Sequence, residues 1–211
     1  MSRCVILSAC PVQPELKRLL RSDDFIIACD AGYRNCERLG CKPDIIVGDF
    51  DSAPCPQQDT DDIVVLPHVK DDTDTEYAAK LAAQKGFDEV LLLGALGGKR
   101  VEHTLANLCT GLGLEQRGIR AALQDERSRI TFVLPGESRC YPKEEFFYFS
   151  AFPMEGHAEG VYEKGSFYEL EDAVLTAGYP LGVSNEYAEG SDCITVSTRQ
   201  GALVVVETIA D

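Results

Sequence analysis

The sequence predicts an α/β protein, with an N-terminal, largely parallel α/β/α domain over residues 1–135 and a small C-terminal all-β sandwich over residues 136–211. Three observations carry this expectation. Up to about residue 135, short apolar runs alternate with helical segments, the pattern of a parallel sheet covered by helices on both faces. From about Ile130 the pattern changes to short β runs separated by Gly, Pro and charged turns, as in antiparallel all-β units. Between them, Leu134-Pro135-Gly136-Glu137-Ser138 gathers turn-formers where a boundary is expected.

The elements follow in order. Apolar runs short enough for buried strands occupy residues 4–9, 25–29, 44–47, 63–66, 89–93 and 119–124. Helical segments lie between them at 14–21, opened by Pro14, and at 32–39, 74–85 and 102–116. The helix over 74–85 shows the logic: Ala78, Leu81, Ala82 and Lys85 form one stripe, and Gly86 supplies the stop. On the helix over 102–116, Leu105, Leu108 and Leu112 form the apolar face, with His103 and Asn107 on the polar one. In the second domain, strands are expected over 146–152, 167–170, 173–175, 194–197 and 202–206. No internal repeat interrupts this order.

Composition bounds the function. A chain of 211 residues with 45% hydrophobic residues can bury a real core, and its net charge of −15 argues against a broad grip on nucleic acid or anionic membrane. Nine cysteines, odd in number and without a Cys-x-x-Cys pair, read as reduced, mostly buried thiols of a cytoplasmic protein. No apolar run approaches a membrane span, and no secretory leader pattern opens the chain.

The chemistry concentrates in two acidic clusters, each directly after a predicted strand: Gly48-Asp49-Phe50-Asp51-Ser52 and Lys70-Asp71-Asp72-Thr73-Asp74. Open α/β sheets place ligands at strand ends of this kind. In extended chain Asp49 and Asp51 would share a face roughly 6.5–7 Å apart at Cα, with Phe50 turned inward. Such paired hard-oxygen donors suit Mg²⁺, which takes one or two carboxylates and leaves its other positions to water and substrate phosphates. Asp and Ser also favour plain turns, and Thr73 with Glu76 has capping-box spacing, so both clusters have a structural reading as well. Two clusters at successive strand ends, with a lysine at the second, exceed what capping requires.

Other segments fit a phosphate site. Asp30-Ala31-Gly32 follows the second strand, as a third terminal carboxylate or as a helix cap, and Gly32 permits close backbone approach. Gly94-Ala95-Leu96-Gly97-Gly98-Lys99-Arg100 joins a strand to a helix, where amides and cations can hold phosphoryl oxygens; its glycine spacing is not that of a P-loop.

In this order the motifs resemble those of the thiamine pyrophosphokinase family. That family shows an Asp-Gly-Gly-like turn, Gly-Asp-Phe-Asp-Ser, Lys-Asp-x-Thr-Asp, a Gly-Gly-Arg-x-Asp-His segment leading to Leu-x-Asn, and a C-terminal Gly-Val-Ser-Asn. Here they stand as Asp30–Gly32, Gly48–Ser52, Lys70–Asp74, Gly97–His103 with Leu105 and Asn107, and Gly182-Val183-Ser184-Asn185. Two departures are visible. Ala31 replaces the first glycine, and the Gly-Gly segment is one residue longer with Glu102 at the aspartate position, leaving open whether Lys99 or Arg100 takes the arginine's place.

The resemblance implies a first domain that binds ATP and a second that binds thiamine. Pyrophosphate would pass from ATP to the thiamine hydroxyl, giving thiamine diphosphate and AMP. It implies Asp49, Asp51 and Asp74 as carboxylates for Mg²⁺, with Asp71 or Asp72 assisting, and Lys70 and Arg100 on polyphosphate oxygens. Ser52, Thr73, Gly97 and Gly98 would add hydrogen bonds, while Asp30, Gly32, His103 and Asn107 would line the nucleotide pocket. Ser184 and Asn185 would lie beside thiamine in a homodimer with shared sites, with Tyr168, Tyr179 or Tyr187 as stacking partners. The group that takes the alcohol proton stays open between a metal-activated alkoxide and one of these aspartates. Two alternatives remain: a pyrophosphokinase for another alcohol such as a hydroxymethylpterin, and a non-catalytic nucleotide- or thiamine-binding regulator.

Overall fold

The computed structural model describes residues 2–50, 63–66 and 71–210; Asp51, Ser52 and Lys70 lie outside them. The chain divides into two compact units, Met1–Glu126 and Arg127–Asp211. This division falls nine residues before the turn cluster at 135, because Ser128–Val133 pairs with the last strand of the second unit.

The described residues of the first unit form six strands: β1 (Arg3–Leu7), β2 (Phe25–Cys29), β3 (Ile45–Gly48), β4 (Ile63–Val65), β5 (Glu89–Leu93) and β6 (Arg120–Gln124). All pair in parallel, in the order β6-β5-β1-β2-β3-β4. Every residue of β1 is buried, as expected of a parallel strand covered on both faces. Val5, Leu7, Ile26, Ala28, Ile46, Leu91 and Leu93 share one core cluster with Leu16, Tyr33, Cys36 and Leu39. The alternate positions Cys4, Ile6, Ile27, Val47, Val90 and Leu92 are equally buried. Each buried Ile or Leu stabilises the fold by about 1.5–3 kcal/mol relative to exposure.

Among the described residues three α-helices serve this sheet: α1 (Tyr33–Leu39), α2 (Asp74–Gln84) and α3 (Val101–Gln116). The expected helix at 14–21 is instead a six-residue 3-10 helix, Pro14–Leu19. Leu16 is buried and Leu19 and Leu20 pack on the same core, but Leu20 is already extended (φ −80°, ψ 137°), which ends the helix there. The apolar face expected on α3 also differs. Its buried residues are Asn107, Thr110, Gly111, Leu114 and Glu115, whereas Leu105 is 59% exposed and Val101 70% exposed. The polar residues turn inward because the fold supplies partners: Glu115 accepts from the Ala121 amide (2.9 Å) and Thr110 donates to Glu76 (2.8 Å).

The second unit is an antiparallel sandwich. One sheet orders β12 (Asn185–Glu186), β9 (Tyr148–Pro153), β14 (Leu203–Thr208) and β7 (Ser128–Val133). The other orders β11 (Leu170–Thr176), β10 (His157–Lys164), β13 (Cys193–Ser197) and β8 (Ser138–Pro142). Val133, Phe149, Ala151, Leu203 and Val205 from the first sheet meet Tyr141, Val161, Leu175, Ile194 and Val196 from the second in one core cluster. The strand expected at 167–170 starts only at Leu170, and β7, β8, β10 and β12 are additional to the sequence expectation. No described helix is long and apolar enough to cross a membrane, and the eight described cysteines are free thiols.

Candidate functional site

The order of the parallel strands reverses between β1 and β5, whose chain continuations leave in opposite directions. Crevices open at such switch points, at the C-terminal strand ends. Here that crevice is a cavity lined by Ser8 and Cys10 after β1, Asp30 at the end of β2, Thr73, Asp74 and Thr75 at the start of α2, Gly94 after β5, and His103 and Asn107 on α3.

Backbone geometry explains several residue choices around it. A Cβ on Gly32 would lie 1.9 Å from the Leu7 carbonyl oxygen, so only glycine lets this turn pack on β1. Gly94 has φ +66°, and a Cβ there would lie 2.5 Å from the Cys10 carbonyl oxygen. The fully buried Asn35 holds the same loop: its amide nitrogen donates to the Ser8 and Cys10 carbonyls (both 2.8 Å), and its oxygen accepts from the Val12 amide (3.2 Å). Asn35, Ser8, Cys10 and Thr75 carry no motif signal; only the fold brings them here. The Ser8 and Thr75 hydroxyls lie 2.9 Å apart.

The three acidic motifs converge on this end of the sheet. Asp30 does not cap α1, whose N-cap is Gly32 and which has no side-chain cap. It takes a left-handed φ of +48° and lines the cavity. A Cβ on Gly48 would lie 3.1 Å from Asp30 Cα, so the ends of β2 and β3 approach closely and bring Asp49 beside the Asp30 turn. The extended geometry expected at 49–51 is not found at Phe50, while Asp51 lies outside the described residues. Phe50 has φ +54°, which breaks the two-residue alternation, while its ring packs on the core as expected. Thr73 caps α2 by accepting from the Glu76 amide (3.1 Å), which leaves Asp74 in the first turn at the cavity wall. The reciprocal half of the capping box is missing, because Glu76 accepts from Thr110 instead.

Other expected residues lie outside the cavity lining. Asp71 is exposed, and Asp72 is held by Lys80 at 2.6 and 2.7 Å. In the Gly-rich segment, the Gly97 amide donates to Thr104 (3.0 Å), and Gly98 closes onto the Cys10 sulfur. Arg100 bonds Glu102 at 2.7 Å, and this partner holds the Glu102 carboxyl below the usual range. Asn107 lines the cavity and donates to the Ala95 carbonyl (2.7 Å), tying α3 to the loop after β5. Burial pushes the Cys10 and Cys29 thiols up, away from thiolate chemistry.

Among the described residues no group of three or more His, Cys, Asp or Glu is placed to hold a metal ion. The donor chemistry nevertheless suits Mg²⁺. Asp30 and Asp74 face one cavity with Asp49 adjacent, and this cation needs only one or two carboxylates when phosphates supply the rest.

In the second unit, a separate cavity is lined by Glu163, Tyr168, Leu170, Leu181, Gly182, Val183 and Asn185. Gly182 is required there, since a Cβ would lie 2.3 Å from the Ala151 carbonyl oxygen. Ser184 has φ +56°, and its amide donates to Ser150 (3.0 Å). Asn185 is 7% exposed and lies in β12, beyond the turn expected there. Its amide nitrogen donates to Glu163 (2.5 Å) and the Tyr168 carbonyl (2.8 Å), and its oxygen accepts from the Tyr168 and Glu186 amides (both 3.0 Å). All four of its hydrogen-bonding positions are therefore filled from within the protein. Glu163 carries no sequence motif; its one signal is an acid within a strand where an inward apolar residue is expected.

Comparison with known proteins adds to this geometry. The model for the thiamin pyrophosphokinase catalytic domain matches residues 16–123, and that for the thiamin pyrophosphokinase vitamin B1 binding domain matches residues 139–203. A thiamine pyrophosphokinase of Bacillus subtilis (strain 168) is 26% identical over 200 residues, which is 92% of each chain. The crystal structure of the Bacillus subtilis thiamine pyrophosphokinase superposes with a TM-score of 0.89 at 25% identity, covering 100% of both chains. That of Geobacillus thermodenitrificans gives 0.85 at 26% identity, covering 100% of this chain and 98% of the other.

Proposed function

Because this chain belongs to the thiamin pyrophosphokinase family and so transfers pyrophosphate from ATP to the hydroxyl of thiamine, we propose that its first-unit cavity holds ATP and its second-unit cavity receives thiamine. The observation that carries this reading is the cavity at the reversal of strand order, where Asp30, Asp74, His103 and Asn107 converge.

Attack on the β-phosphorus needs in-line placement and charge neutralisation more than covalent help from the protein. Asp49 and Asp74, with Asp51 from outside the described residues, would hold Mg²⁺. When bound, the ion neutralises polyphosphate charge and orients its oxygens. The chain's own residues do the rest. The amide end of α2, capped by Thr73, faces the cavity with a partial positive charge, and the Ser8 and Thr75 hydroxyls supply neutral donors. Asn35 and Asn107 fix the loops after β1 and β5, so those donors are already oriented before substrate enters. Lys70 and Arg100 are the proposed cationic contacts, with Arg100 leaving Glu102 for phosphate.

Thiamine is a flat organic cation. Tyr168, Leu170, Leu181 and Val183 offer it apolar surface, and Ser184 follows Val183 directly in the chain. A homodimer with shared sites follows the same reading. Its support is the exposed apolar group Phe167, Tyr168, Tyr179, Leu181 and Val183, 49–70% exposed, around the Gly182–Asn185 turn. A cytoplasmic location is in keeping with free thiols.

The test is AMP release from ATP and Mg²⁺ with thiamine, with a hydroxymethylpterin, or with no acceptor, the product being identified by mass. Thiamine-dependent AMP with thiamine diphosphate as product supports the reading. AMP only with the pterin overturns the acceptor, and ATP binding without turnover favours a regulator.

A further inference from the structure

We propose that Glu163 is the acceptor-specificity residue of the second-unit cavity, presenting the buried carboxylate that a cationic acceptor must meet. This inference rests on the acceptor site proposed above.

Three observations carry it. First, Glu163 occupies an inward position. It is 1% exposed and two residues from the core residue Val161, with Leu170 and Val196 opposite it on the neighbouring strands. Alternation along β10 calls for an apolar side chain there. Second, its hydrogen-bond partners are neutral, the Asn185 amide and the Ser166 hydroxyl, and no Lys or Arg among the described residues pairs with it. Burying an unpaired carboxylate is costly, and burial pushes the group up to about 7. A neutral residue would fill the site more cheaply unless a cation arrives from outside.

Third, the two polar side chains that line this cavity differ in spare capacity. Asn185 has all four positions used, so it can shape the turn but has none left for a ligand. An ionised Glu163 has about four acceptor sites, of which Asn185 and Ser166 use two, so the capacity left at the cavity belongs to the carboxylate. The lining otherwise consists of Tyr168, Leu170, Leu181 and Val183, surfaces suited to a flat ring. An apolar slot with one desolvated anion selects a planar organic cation and discriminates against a neutral ring of the same shape.

Glu163→Gln keeps the size and the oxygen that accepts from Asn185 while removing the charge. The expected result is a rise of roughly 30-fold or more in KM for thiamine, the low end for removing one charge of a buried pair. KM for ATP should change less than twofold. A thiophene analogue of thiamine, neutral in its five-membered ring, should bind wild type and variant equally. An equal loss for thiamine and the neutral analogue, or an equal rise in both KM values, would overturn the proposal. If the variant does not fold, calorimetry on the unmodified protein decides: at least tenfold tighter binding of thiamine than of the neutral analogue is expected, and equal affinity overturns the assignment. Absence of any thiamine turnover by wild type would instead defeat the underlying acceptor reading.

Discussion

Glu163→Gln should make the protein more stable in neutral and alkaline solution while leaving it unchanged in acid. Burial raises the Glu163 carboxyl from 4.5 to about 7 in the folded chain. Between those values the native state keeps a proton that the unfolded chain has released, so wild-type stability falls as pH rises through this window and levels off above it. One unit corresponds to about 1.4 kcal/mol, and the whole interval to about 3 kcal/mol. At roughly 2–4 °C per kcal/mol for a chain of this size, the variant should melt roughly 6–12 °C above wild type at about pH 8. The two should coincide near pH 4. Thermal unfolding of both proteins followed by far-ultraviolet circular dichroism across this range makes the comparison. A difference that does not vary with pH, or a variant that melts lower at pH 8, would refute the reasoning. Combined with the expected loss of thiamine affinity, the result would separate a group kept for binding from one kept for folding.

Four further outcomes are expected. Asp51→Asn should abolish AMP release with the circular dichroism spectrum unchanged; near-normal turnover in a folded variant would defeat the metal assignment. Asn35→Ala leaves the Ser8 and Cys10 carbonyls and the Val12 amide short of partners, at about 1–3 kcal/mol for a buried group. Its urea midpoint should drop and its KM for ATP rise, and an effect on neither would argue against a loop-setting role. Gly32→Ala drives a methyl into the Leu7 carbonyl, whereas Gly97→Ala meets open space and only the cost of φ +73°, about 1–2 kcal/mol. The first should lower the melting temperature far more than the second, and equal losses would contradict the packing argument. Thr73→Ala removes the α2 cap and should cost about 0.5–2 kcal/mol in denaturant titration, with no change counting against the cap.

The strands of the first unit are legible because each is an apolar run buried on both faces, and the site motifs because they stand at the ends of those runs. Asp30 and Asp74 reach one cavity as their positions suggest. The α3 face is not legible from apolar spacing: Asn107, Thr110 and Glu115 turn inward only because the Ala95 carbonyl, Glu76 and the Ala121 amide lie there to receive them. The five-residue β8 and eight-residue β10 carry polar or charged residues at about half their positions, so their alternation emerges only once partner strands give it two sides. Phe50 shows the same limit at one residue: nothing local announces a left-handed backbone there.

Among the described residues four non-glycines hold positive φ, namely Asp30, Phe50, Ser184 and Asp172, and the first three sit in the site motifs. Such conformations cost about 1–3 kcal/mol each, against a typical total stability of about 5–15 kcal/mol. Laboratory evolution under heat alone would therefore be drawn to glycine at positions 30 and 184. Survivors would be sturdy and poor at turnover. Alternating rounds of heat challenge and growth dependent on thiamine diphosphate synthesis would hold Asp30 and Ser184 in place and push the stabilising substitutions onto surfaces remote from both cavities.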